Sequence, residues 1–143
     1  MNDRYLFRAK RIDNGEFVIG SLVLSDDADE EYKAIIIPSV NSNMFTRESY
    51  NEDLGFENWY KVDQSTICQC TGLKDKNGKL IWENDIILCK VGTAKVIWNR
   101  SEWRIEWLEN DLWRKDLYYW AVEDNQKIEV IGNIFDNPEL INE

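Results

Sequence analysis

The chain contains no histidine, which removes most of the ways a small protein builds a nucleophile. Ser-His-Asp and Cys-His systems need an imidazole to accept the nucleophile's proton, and the commoner zinc sites need one as a ligand. Thiols, carboxylates and amines remain. Cys68 and Cys70 lie two apart, so on a strand they share a face, and with Cys89 on a neighbouring strand they could offer three thiolates to a metal. They lack the Cys-x2-Cys spacing and the fourth ligand of a zinc knuckle, so the expectation is three small core residues, with no metal and no cofactor. An odd thiol count, with two of the three geometrically unsuited to pair with each other, points to reduced cysteines in a cytoplasm. Asp26, Asp27, Asp29, Glu30 and Glu31 supply oxygen ligands but have neither the spacing nor the loop glycine of a calcium-binding EF-hand, and read as a solvated acidic loop.

Two further sets of residues could make contacts. Lys74, Lys76 and Lys79 crowd one polar turn, the one concentrated positive spot in an acidic chain, and are the residues singled out for partner contact. A merely solvated tip whose shape is set by Asn77-Gly78 is the plainer reading. The seven tryptophans, at 59, 82, 98, 103, 107, 113 and 120, could stack on bases or a ligand, but in a small β-protein they more often serve the core and protein interfaces. No glycine-rich loop is joined to a phosphate-binding lysine, so no catalytic residue is assigned and the chain is read as a non-enzyme.

Holding such residues in place requires a packed core, and the composition supplies one. The 143 residues are 43% hydrophobic and 13% aromatic, enough for a single domain spanning 1–143 that buries about 70% of its unfolded surface. Seventeen basic against 27 acidic residues give a net charge of −10, which repels phosphates and disfavours nucleic acid and anionic membranes. Apolar runs such as Ala34 to Ile37 are too short to span a bilayer, and the charged N-terminal stretch does not read as an export signal.

Two-residue alternation between turn signals predicts a mostly β fold, a small antiparallel, partly open barrel or strongly bent sheet with minor helical segments. Tyr5 to Ala9 and Glu16 to Leu24 form a hairpin about Asp13-Asn14-Gly15, and Tyr32 to Ile37 is a strand closed by Pro38. Asn41 to Asn58 shows no clear period and is expected to be irregular, with room for a short helix. Trp59 to Val62, Thr66 to Thr71, Ile86 to Val91, Ala94 to Trp98 and Lys127 to Ile131 read as strands, Leu80, Ile81 and Trp82 return the chain to the core, and a Trp-lined pair flanks the turn at Asn99-Arg100-Ser101. Asp111 to Val122 fits helix and strand equally, and Asn137-Pro138-Glu139 predicts a capped helical start.

The stretch VDQSTICQCTGLKDKNGKLIWENDI, Val62 to Ile86, resembles the signature of the YopX family, and FRAKRIDNGEFVIGSL from Phe7 and VIGNIFDNPELI from Val130 resemble its terminal motifs. Asn84 stands where the family usually has glycine before Asp85, a position where positive φ is plausible and asparagine is the next best residue. Cys68 and Cys70 around Gln69 stand where the family tends to small or aromatic residues, which argues against a thiol-based family activity. The resemblance implies a phage or prophage protein acting inside a bacterial cell, with a largely β fold and no assigned biochemistry.

The expected function is therefore that of an accessory protein working by protein contact, with self-association as one form of it. The rival from another class is an acidic mimic of nucleic acid that occupies a host DNA-binding or defence protein, for which the −10 charge is the motive.

Overall fold

The computed structural model describes residues 3–26, 29, 32–39, 44–47, 53–56, 58–109, 113–123 and 127–141, the strands at 44–47 and 53–56 by their backbone. Among these the structure is mostly antiparallel β and falls into two compact units, Tyr5–Gln69 and Met1–Arg4 with Cys70–Glu143.

In the Tyr5–Gln69 unit, β1 (Phe7–Lys10), β2 (Phe17–Leu24), β3 (Ala34–Pro38) and β6 (Tyr60–Lys61) are neighbours in the order β6-β3-β2-β1, and Cys68 and Gln69 at the start of β7 (Cys68–Lys74) pair with β1. The predicted first hairpin forms with Phe7 opposite Gly20 and Lys10 opposite Phe17, and Gly15 in its turn has φ 73°. Alternation sends Ala9, Ala34, Ile36 and Val62 into one core, with Val18, Leu22 and Ile67 packed against it. Beta-strands β4 (Met44–Arg47) and β5 (Asp53–Phe56) pair as a separate two-stranded sheet. That corrects the expectation of an irregular stretch at 44–47 and 53–56, since four-residue strands are too brief for a period to show. Residues 41–43, 48–52 and 57 of the same stretch, where the sequence leaves room for a short helix, lie outside the described residues. The strand expected from Thr66 begins later, because Gln64–Thr66 is a 3-10 turn capped by Asp63, whose carboxylate accepts from the Ser65 amide.

In the second unit, β8 (Leu80–Trp82) pairs with β7 from Cys70 onward, and β9 (Asp85–Cys89), β10 (Gly92–Asn99), β11 (Glu102–Trp107) and β12 (Glu129–Asn133) form an open sheet in the order β11-β10-β9-β12. Its core holds Ile81, Ile87, Ala94, Val96, Ile105, Trp107, Leu117, Trp120, Ile128 and Val130. Of the ambiguous stretch, residues 111 and 112 lie outside the described residues and the rest holds one isolated bridge followed by helix. Asp116 bridges to Arg104 beside β11, and the chain then turns helical, with a π-helical Tyr119–Glu123. Leu117, Trp120 and Ala121 are buried at helical spacing, and the indoles of Trp107 and Trp120 both donate to the Arg114 carbonyl, at 3.1 and 2.9 Å. Asn137 begins a 3-10 turn, Pro138–Leu140, but does not cap it: its Oδ1 accepts instead from the Asn133 amide of β12 at 3.2 Å.

Candidate functional site

The signature turn between β7 and β8 is organised by a residue that sequence reasoning passed over. Asp75 is 3% exposed, and its Oδ1 accepts from the Asn77 and Lys79 amides while Oδ2 accepts from the Val130 amide of β12, all at 2.9 Å. Burial works to raise its pKa, yet the backbone donors, assisted by the charge of Lys79, hold it below the ordinary carboxylate range. The Lys76 amide adds a bond to the Ile128 carbonyl, and Gly78 adopts φ 78°. The turn is thus stitched to β12, which accounts for its composition without any chemistry. Aspartate's preference for such backbone-bonding turns was the signal that could have found it.

The three lysines of this turn are exposed, and Lys76 pairs with Glu129 of β12 at 3.3 Å. Nor is the turn the one concentration of positive charge: Arg100, Arg104 and Lys115 line a groove of about 390 Å³ beside β10 and β11, together with Asn99, Ile97 and Glu106. Cys68, Cys70 and Cys89 are buried and unbridged, and among the described residues no group of three His, Cys, Asp or Glu is placed to hold a metal. In the acidic stretch, residues 27, 30 and 31 lie outside the described residues.

Seen in three dimensions the tryptophans divide. Trp82, Trp107 and Trp120 are buried, whereas Trp59, Trp98 and Trp113 are exposed. Trp59 lies with Tyr32, Val23, Ile35 and Ile37 on an apolar surface of the first unit. Trp98 belongs to a more structured feature, a cleft of about 430 Å³ at the tip of the β10–β11 hairpin.

Four pieces of chain build that cleft. Strand β7 contributes Thr71 and Leu73, and the hairpin contributes Trp98, Ser101, Glu102 and Trp103. Asp116 and Tyr118 come from the segment that bridges β11. Register places Trp98 opposite Trp103, and the rings meet edge to face at 5.0 Å and 67°. Trp103 is partly buried against the core, so it fixes Trp98, which stays 54% exposed; Tyr118 is 55% exposed. The intervening turn has both Arg100 and Ser101 in the left-handed region, φ 55° and 60°, the type I′ geometry that matches strand twist.

The polar groups of the cleft are committed to structure. Thr71 Oγ1 donates to the Ile81 carbonyl at 2.7 Å and accepts from the Leu73 amide. Glu102 is ion-paired with Arg104, and Asp116 takes a bidentate pair from Arg114 at 3.1 and 3.0 Å. The surface offers aromatic area and negative charge. Tyr118 and Asp116 were hidden from sequence reasoning because they fall in the stretch whose period was ambiguous.

A family model, YopX protein, matches residues 6–142. The chain belongs to the YopX family. Among solved structures it is similar to the crystal structure of protein EF1440 from Enterococcus faecalis, with a TM-score of 0.62 and 23% identity over 95% of this chain and 96% of that one. At that identity the likeness shows the fold alone. No curated protein matches. No helix among the described residues is long and apolar enough to cross a membrane.

Proposed function

We propose that this YopX-family chain is a phage- or prophage-encoded accessory protein of the bacterial cell interior, non-enzymatic, that binds another protein through the cleft at the β10–β11 tip. One observation carries the reading: two aromatic side chains, Trp98 on the paired strand β10 and Tyr118 on the helical segment after β11, stand more than half exposed in one concave site. Rigid aromatic anchors with polar tips are the residues that dominate protein interfaces, since they bury much area at little entropic cost. Lys74 at the end of β7, with Lys76 and Lys79 in the β7–β8 turn, is a separate candidate for partner contact. The test places a photo-crosslinking amino acid at Ser101 in the bacterial host. A crosslinked protein that is lost in Trp98→Ala and Tyr118→Ala, and retained in Trp59→Ala, is the expected result; a partner unaffected by both cleft variants refutes the reading. The −10 charge supports a second reading, mimicry of a nucleic acid. Under it, capture falls steeply with salt and to the same degree in the Trp98→Ala variant as in the parent chain.

A further inference from the structure

The charges that line the tip cleft are of one sign. Of its lining residues Glu102 and Asp116 are ionisable acids, and neither lysine nor arginine is among them. Arg100 and Arg104 of this hairpin, with Lys115 of the segment after it, line the other groove. An aromatic ring presents a negative face, so Trp98 and Tyr118 add to the attraction that the two carboxylates exert on a cation. At longer range the net charge of −10 acts in the same direction. Both carboxylates already hold an arginine of this chain; in each pair one member is exposed, Glu102 in one and Arg114 in the other, while Arg104 and Asp116 are partly buried, and pairs open to solvent on one side contribute little. The Arg114 pair also demonstrates that guanidinium is a group Asp116 accepts with bidentate geometry, through Nε and Nη2.

We propose that the cleft recognises an arginine side chain within a basic segment of the partner protein, the guanidinium lying against Trp98 and Tyr118 and shared by Glu102 and Asp116. This rests on the protein-contact reading and names the partner's chemistry. Arginine suits the site better than lysine because its planar group stacks on rings and forks onto carboxylates at once, and it is less strongly hydrated.

The test titrates the full chain into a fluorescent peptide carrying four arginines among glycine and serine, read by anisotropy at low and moderate salt. The peptide binds the parent chain, and Trp98→Ala and Tyr118→Ala each weaken it about tenfold, in line with a desolvated cation–π contact. Trp98→Phe restores most of the loss, and the same peptide with citrulline, which keeps the shape without the charge, does not bind. Equal affinity for Trp98→Ala and the parent chain overturns the proposal, since the peptide would then be responding to net charge alone. Equal binding of the citrulline peptide overturns it as well. Spermidine competing as strongly as the peptide assigns the site to a free polyamine and also overturns it. The two readings fail separately: a crosslinked partner that depends on Trp98, combined with peptides that do not bind, refutes the arginine and leaves the protein contact standing. Peptide binding with a partner indifferent to Trp98 does the reverse.

Discussion

Replacing Asp75 by asparagine exchanges one carboxylate oxygen for an amide nitrogen and removes a charge, in a side chain that is 3% exposed. The amide oxygen can keep the Asn77 and Lys79 donors, which then bond to a neutral acceptor. The nitrogen must face the Val130 amide, a donor against a donor, where Oδ2 now accepts at 2.9 Å. A hydrogen bond to a charged group contributes about 1.5–3 kcal/mol, and a buried donor left unsatisfied costs about 1–3 kcal/mol. Because these are two views of the same lost contact, the expected loss is about 3 kcal/mol, a large part of a total stability on the order of 5–15 kcal/mol. Asp75→Ala removes all three acceptor contacts, but the Asn77 and Lys79 amides sit in an exposed turn that water reaches, so its cost is about 3–4 kcal/mol. Urea unfolding followed by tryptophan fluorescence measures this well, since six of the seven tryptophans lie in the Cys70–Glu143 part of the chain. The pH dependence separates charge from shape. A carboxylate whose pKa is lowered in the folded state gives its full stabilisation above its unfolded value, about 3.9, and loses it as pH falls through the lower folded value. The gap between parent and Asp75→Asn is therefore constant from pH 7 to about 5 and narrows below about 4. A gap under about 1 kcal/mol at pH 7, or one that widens in acid, would refute the account of Asp75 as a charged acceptor.

Other outcomes follow from backbone geometry and burial. Arg100→Asn with Ser101→Gly puts residues suited to positive φ into the type I′ turn and raises stability by about 1–2 kcal/mol in the same urea assay. Gly20→Ala places a Cβ against the Ile37 carbonyl oxygen, backbone that cannot turn aside, so the β2–β3 pairing must open; a loss of about 3 kcal/mol or more, or failure to fold, is expected by circular dichroism. Cys68, Cys70 and Cys89 react with a thiol reagent in denaturant and not in the native protein, and a native thiol titrating within seconds would contradict their burial.

Local chemistry was legible wherever the backbone demanded a particular residue. Asn84, inferred to replace a glycine at positive φ, has φ 70°, and its amide donates to Val96 while its carbonyl accepts from Ile134. The first hairpin and the Trp98–Trp103 pair appeared where turn residues and alternation placed them. What misled was a side chain with two possible partners. Asn137 has the composition of a helix cap, but Oδ1 serves β12, four residues back, because that strand's bulge between Val130 and Gly132 brings the Asn133 amide to it. The lysines of the signature turn drew notice for their charge, whereas the carboxylate between them does the structural work through a partner 55 residues away.

The sequence by itself determined the class of fold and the positions of its turns, because alternation, glycine and asparagine act through the nearest few bonds. Histidine's absence likewise settled at once which mechanisms could not operate. Which tryptophans are buried was decided only by the tertiary structure: all seven look alike in a string of residues, and burial depends on whether a strand distant in sequence lies over the ring. The same is true of the tip cleft, whose walls come from β7, the β10–β11 hairpin and the segment holding Asp116 and Tyr118. A concave surface belongs to no single segment, so it exists only once those strands have paired.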